Sequence, residues 1–63
     1  DVNRSIMDLF GEIKSNLERQ GNTIDDMDVL IAATALSHNL ILITNNTSHF
    51  SRVDDLRVEN WKT

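Results

Sequence analysis

Residues 40–43 form an uninterrupted aliphatic run, LILI, that follows an alanine-rich apolar segment at residues 29–36. Four residues are too few for a helix, and the run lacks the alternation of a strand with one solvent-exposed face. We therefore expect a parallel strand that is covered on both sides. The preceding segment is apolar around most of its circumference, which predicts a buried helix. Together these features predict an α/β fold.

The flanking segments predict a further helix and a weak strand. Between residues 2 and 20, apolar side chains recur every three or four positions, which indicates an amphipathic helix that ends at Gly21. We expect Thr23 to start the buried helix through a capping box completed by Asp26. Residues 56–59 are a candidate strand, but they are short and charged and make a poor central partner for LILI. We therefore expect the remaining strands of the sheet to lie outside this chain.

The segment between the two candidate strands predicts a helical turn. Asn46 or Thr47 is suited to cap it, and Phe50 and Val53 are expected to face inward. At the end of the chain, Trp61 is expected to be a hydrophobic anchor.

Composition bounds the function classes. The chain has 63 residues, no cysteine and a formal net charge of -4. A chain of this length buries one small core. Disulfides and thiolate metal sites are excluded, and we expect a cytoplasmic location. No apolar run approaches the roughly 18 residues that cross a bilayer, so no membrane partner is expected. Because the first residue is Asp1, we expect a piece of a longer polypeptide.

The acids at the start of the buried helix are the candidate chemical groups. Asp28 lies in the first helical turn, where a carboxylate can bind Mg²⁺ or Mn²⁺. It can equally be a solvated acid that the helix dipole favours, and spacing alone prefers this second interpretation. Asp26 is two residues away, so both acids can reach one ion only if Asp26 precedes the helix proper. At the strand end, Thr44 and Asn46 suit either turn formation or a metal site, with the Asn46 carbonyl as a ligand.

Three segments in order resemble a known family. These are D-x-L-I-A-A at residues 28–33, T-x-N-x-x-x-F at residues 44–50 and E-N-W at residues 59–61. The pattern is similar to the carboxyl-terminal half of a PIN domain, and most similar to the VapC-type toxins of bacterial toxin–antitoxin pairs. The resemblance covers residues 21–61, about two-thirds of the chain. It implies a three-layer α/β/α fold with a central parallel sheet.

The resemblance also implies an activity. Family members are Mg²⁺- or Mn²⁺-dependent endoribonucleases that hydrolyse phosphodiester bonds in RNA and are held inactive by a cognate antitoxin. Asp28 matches the acid before the L-I-A-A segment and is the first candidate for a catalytic metal ligand, with Asp26 second. Thr44 matches a threonine that organises the site. Asn46 falls where many relatives carry Asp, so it is a neutral candidate ligand in place of a charged one.

The resemblance places residues 1–63 within a single PIN domain whose amino-terminal half is absent. That half would bring further acids, so we expect the 63-residue chain alone to be inactive. Relatives pair as homodimers, and the apolar face of the first helix is a candidate interface. The alternative hypothesis is a non-catalytic PIN-like binding or assembly fragment, in which the acids serve only the helix ends. A generic helical interaction fragment is a third hypothesis.

Overall fold

The structure is a computed structural model that describes residues 3–61. Its elements are α1 (Arg4–Gln20), α2 (Asp26–Ser37), β1 (Leu42–Ile43), α3 (Thr47–Phe50) and β2 (Val58–Glu59). The two strands pair in parallel, with Leu42 opposite Val58 and Ile43 opposite Glu59. This confirms the predicted α/β class with a parallel sheet. No helix in residues 3–61 has the length and apolarity that a bilayer crossing requires.

Helix α1 has clear start and stop signals. The Asn3 side chain accepts a hydrogen bond of 3.0 Å from the backbone N–H of Ile6, which satisfies one of the free donors of the first turn. Gly21 ends the helix in the left-handed conformation at φ 75°. The backbone N–H of Asn22 then donates to the carbonyl of Leu17 at 2.9 Å, a Schellman arrangement. The predicted end at Gly21 is confirmed.

Helix α2 begins differently from the prediction. Its first residue is Asp26, its N-cap is Asp25, and no side chain makes a capping hydrogen bond. The expected capping box of Thr23 is wrong, because Thr23 lies two residues before the N-cap and outside the first turn. Acidic side chains at Asp26 and Asp28 instead complement the positive end of the helix dipole. Asn39 follows the helix at φ 55°. The backbone N–H of Leu40 then donates a hydrogen bond of 2.8 Å to the carbonyl of Ala35.

The core lies between α1, α2 and the turn after β1. Small side chains on α2 let α1 approach closely, so the apolar face of α1 is buried within the chain. The predicted inward positions of Phe50 and Val53 are confirmed. The apolar face of α1 is therefore not available as a dimer interface, contrary to the candidate interface that the sequence suggests. The buried apolar residues of this cluster are Ile6, Ile13, Leu17, Val29, Ala32, Ala33, Phe50 and Val53.

The strand pair is covered on one face only within residues 3–61. Leu42 and Val58 pack against the core, whereas Ile43 is 62% exposed. Strand β1 is also shorter than the predicted residues 40–43, because β2 offers only two residues for pairing. The expectation of a strand covered on both sides therefore does not hold for this part of the chain. Trp61 is 59% exposed within residues 3–61, and its role as a hydrophobic anchor stays a prediction.

Candidate functional site

Asp28 occupies a distinct environment at the start of α2. Its side chain is 24% exposed, and every other acid in residues 3–61 belongs to the exposed class. The helix places it in the first turn, beside the turn that follows β1. Partial burial strengthens the field of a carboxylate because fewer waters screen it. Asp28 is therefore the acid in this part of the chain that is best suited to hold a cation.

Asp26 lies in a different environment, although it is only two residues away. It is the first residue of α2, its side chain is 67% exposed, and its Oδ1 lies 3.1 Å from Nζ of Lys14. Residues two apart point in different directions on a helix. Because Asp26 is in the helix rather than before it, the condition for both acids to reach one ion is not met in this arrangement.

The end of β1 forms a tight polar turn. The Oγ1 of Thr44 accepts a hydrogen bond of 3.0 Å from the backbone N–H of Asn46, and the N–H of Thr44 donates to the carbonyl of Glu59 at 2.9 Å. Thr44 therefore connects the parallel sheet to the turn that carries Asn46. This agrees with the turn chemistry considered for Thr44, and its role in organising a site remains a prediction.

His49 connects the turn to Asp28. Its Nδ1 lies 3.0 Å from Nδ2 of Asn46 and 4.0 Å from Oδ2 of Asp28. The structure thus brings Asp28, Asn46 and Thr44 into one neighbourhood, with Asp26 outside it. His49 thus makes two contacts, the first within the turn to Asn46 and the second across to Asp28 on α2. The spacing of three residues between Asn46 and His49 is the signal for the first contact, whereas the second depends on tertiary packing.

The donor set fits part of a magnesium or manganese site. The Asp28 carboxylate and the Asn46 amide supply hard oxygen donors, which these ions prefer. Residues 3–61 contain no group of three or more His, Cys, Asp or Glu side chains arranged to hold a metal. An octahedral ion needs more ligands than these two side chains provide. Further ligands, whether waters or other protein groups, are therefore required.

Comparisons with known proteins identify the family. Residues 1–56 match the PIN domain. The chain belongs to the PIN domain family. A ribonuclease VapC2 of Haemophilus influenzae is 52% identical over 52 residues, which cover 82% of this chain and 39% of the relative. A tRNA(fMet)-specific endonuclease VapC of Shigella flexneri is 47% identical over 51 residues, which cover 81% of this chain and 39% of the relative.

A solved structure supports the same PIN-like fold. The structure of VapBC-1 from nontypeable Haemophilus influenzae superimposes with a TM-score of 0.92 and 36% identity, covering all of this chain and 47% of that chain. This likeness confirms the predicted PIN-like α/β fold. The chain spans 39% of the length of these curated relatives.

Proposed function

We propose that the complete PIN domain containing this chain is a metal-dependent endoribonuclease, the toxin of a toxin–antitoxin pair. The observation that carries the proposal is the half-buried carboxylate of Asp28, placed beside the polar turn at the end of a parallel strand. Ligand sites of open α/β sheets lie at the carboxyl ends of their strands. The names ribonuclease and tRNA(fMet)-specific endonuclease of two relatives support RNA as the substrate class.

The proposed cofactor is Mg²⁺ or Mn²⁺. Asp28 would bind the ion directly, Asn46 would offer its amide oxygen, and Thr44 would hold the turn in place. Asp26 would act from a greater distance, through water or as a local negative charge. When bound, such an ion activates water for attack on a phosphodiester and offsets the charge of the phosphate. The residues of this chain supply part of the electrostatic field that holds the ion.

We further propose that this chain is the carboxyl-terminal part of a single PIN domain and does not cleave RNA alone. Two side-chain donors leave an octahedral ion incompletely bound. The amino-terminal half of the domain would supply the missing carboxylates. Its absence accounts for the lack of a three-residue metal-binding group within residues 3–61.

An apolar face supports the presence of this second half. Side chains from α2, from β1 and from the residues just before β1 line a shallow groove that is mostly apolar. Leu40, Ile41 and Ile43 are also exposed. An exposed apolar surface of this kind beside a parallel strand is suited to packing against further strands and helices. The lining residues are Leu30, Ile31, Thr34, Ala35, Leu40, Ile41 and Leu42.

The proposed partners of the complete domain are a cognate antitoxin and a second copy of the domain. The VapBC-1 structure of Haemophilus influenzae is the relative that supports an antitoxin partner. Because α1 uses its apolar face within the chain, a homodimer would form through another surface. The cytoplasmic location expected from the sequence belongs to the same proposal.

A non-catalytic PIN-like scaffold is the second candidate. Asn46 is the observation that favours it, because an amide lacks the charge that a carboxylate supplies to a divalent ion. In a scaffold, Asp28 would serve only the helix dipole. The two candidates differ in whether the complete domain cleaves RNA at all, and only the first requires Asp28 for that cleavage.

Cleavage of RNA by the complete domain tests the proposal. We expect Asp28→Ala to lower the Mg²⁺-dependent cleavage rate by roughly 100-fold or more, because loss of a ligand exceeds the usual effect of a supporting residue. Asp8→Ala is the matched control, since Asp8 is an exposed acid on α1. A native domain that cleaves no RNA would favour the scaffold, and equal cleavage by the native domain and Asp28→Ala would contradict the role proposed for Asp28.

A further inference from the structure

The E-N-W motif at residues 59–61 has no part in the proposed metal site, but it lies at the same edge of the sheet. Its first residue, Glu59, ends β2, which runs parallel to β1. The backbone N–H of Thr44 donates a hydrogen bond of 2.9 Å to the carbonyl of Glu59. The two strands therefore end side by side, and Trp61 follows β2 where the polar turn of the candidate site follows β1.

Trp61 is the exposed aromatic side chain of residues 3–61. Its exposed fraction is 59%, whereas Phe10 and Phe50 pack against or within the core. Tryptophan is highly buried on average, because its ring has a large apolar surface. Where its ring is exposed, it is well suited to contact another molecule, and tryptophan is enriched at such contacts. The exposed ring at this edge is therefore a candidate for a binding role.

The shape of the sheet favours an outer position for Trp61 in the complete domain. Strand β2 has only two residues, and it is flanked by Arg57 and ends in Glu59. Short and charged strands resist pairing at their outer edge. Strand β1, by contrast, follows the exposed Leu40 and Ile41 and borders the apolar groove. The further strands of the complete domain therefore have their apolar packing surface at β1, and β2 stays at the edge.

The chemistry of the motif suits an unpaired RNA base. Bases of single-stranded RNA stack on aromatic side chains, and every base has a face that can do so. Glu59 is an exposed acid and repels phosphate groups, which favours an uncharged base over the RNA backbone as the group in contact with the motif. Bases inside a duplex are already stacked on each other and are not open to the ring.

We propose that Trp61 is a substrate-binding residue, which stacks on an unpaired base of an RNA strand that passes the candidate metal site. The inference rests on the proposed function and deepens it, because it names single-stranded RNA as the substrate class. A stacked base is held in the ground state and in the transition state alike. Loss of the ring should therefore raise KM and leave kcat largely unchanged.

The test measures binding of a labelled, unstructured oligoribonucleotide to the complete domain by fluorescence anisotropy, in a chelator that keeps the RNA intact. Trp61→Ala removes the ring, and we expect the affinity to fall about fivefold or more, as for other base–aromatic stacks. Trp61→Phe keeps a smaller ring and should retain most of the affinity. Met7→Ala is the matched control, because Met7 is a 51% exposed apolar residue on α1.

An abasic oligoribonucleotide of the same length separates stacking from general structural support. It keeps the backbone and lacks the bases, so Trp61→Ala should change its affinity by less than about twofold, the range for uncoupled changes. Equal losses for both RNAs would overturn the inference, as would an unchanged affinity of Trp61→Ala for the intact RNA.

The accessibility of the ring provides a second measurement, which does not depend on the folding of Trp61→Ala. Iodide quenching of Trp61 fluorescence is obtained as the difference between the native domain and Trp61→Phe. We expect an accessible ring that becomes shielded when the oligoribonucleotide binds. A ring that is already shielded in the free domain would identify the buried anchor that the sequence predicts, and would overturn the inference.

The results also distinguish this inference from the proposed function. Mg²⁺-dependent cleavage that requires Asp28, together with an RNA affinity that Trp61→Ala leaves unchanged, would contradict the inference alone. A native domain that neither binds nor cleaves RNA would contradict both.

Discussion

Leu42 lies opposite Val58 in the parallel register of β1 and β2, and both side chains pack toward the helices. The next pair, Ile43 and Glu59, points to the opposite face because side chains alternate along a strand. In residues 3–61, β1 has one hydrogen-bonded neighbour. Its second edge and its second face are therefore available to other parts of a sheet.

The first prediction concerns association of the isolated 63-residue chain. We expect it to self-associate in solution, because an apolar face and an unpaired strand edge favour pairing with another chain. Ile41→Lys should reduce the average mass measured by light scattering, since Ile41 lies in the exposed apolar groove. Asn45→Lys adds the same charge at an exposed polar position and serves as the control. A monomeric native chain would contradict this prediction.

The second prediction concerns the α1–α2 core of the complete domain. Leu17 is 2% exposed, so Leu17→Ala leaves a cavity and should lower the free energy of unfolding by roughly 2–5 kcal/mol. Met7 lies on the same helix but is 51% exposed. Met7→Ala should change stability by no more than about 0.5 kcal/mol. Denaturant unfolding measures both, and similar losses would show that α1 is not packed in this orientation.

The third prediction compares a glycine inside α1 with the glycine that ends it. Gly21 has φ 75°, so Gly21→Ala should destabilise the domain by about 1 kcal/mol, the cost of a left-handed conformation for a residue with a Cβ. Gly11 lies within the helix, and a Cβ there would meet no atom within 4 Å. Gly11→Ala should therefore stabilise by roughly 0.5–1 kcal/mol. Opposite signs in thermal unfolding are the expected result, and a stabilising Gly21→Ala would contradict it.

The fourth prediction concerns the ion pair between Lys14 and Asp26. Both side chains are exposed, so their coupling free energy should be no more than about 1 kcal/mol. Nζ of Lys14 also lies 5.9 Å from the centre of the Phe10 ring. A double-mutant cycle with Lys14→Met and Asp26→Asn isolates the ion pair from this second contact. A coupling above about 2 kcal/mol would be inconsistent with a solvent-screened pair.

Local signals in the sequence predict the helices and strands better than they predict the contacts between them. The periodicity of α1 and the stop at Gly21 follow from spacing and backbone preference, which are local properties. The extent of β1 could not be predicted, because it depends on the two residues that β2 offers for pairing. The sequence pattern places the start of α2 at Thr23, whereas the helix begins after Asp25, because acidic side chains in its first turn complement the helix dipole in place of a side-chain cap.

At the candidate site, too, the local positions were predictable from the sequence and the long-range contacts were not. Asp28 and Asn46 were singled out from motif positions. The environment that distinguishes Asp28 from Asp26 was not predictable, because it depends on which groups pack nearby. Lys14 comes from α1 and His49 from α3, and these long-range neighbours leave no pattern in the sequence around the two acids.

A metal site centred on Asp28 is tested most directly by the Mg²⁺ dependence of RNA cleavage by the complete domain, measured for the native protein and for Asp28→Asn. This substitution keeps the shape of the side chain and removes its charge. We expect the native rate to rise with Mg²⁺ and saturate, and Asp28→Asn to remain inactive or to need far more Mg²⁺. Native cleavage that continues in a chelator, or equal Mg²⁺ dependence in both proteins, would contradict a metal site centred on Asp28.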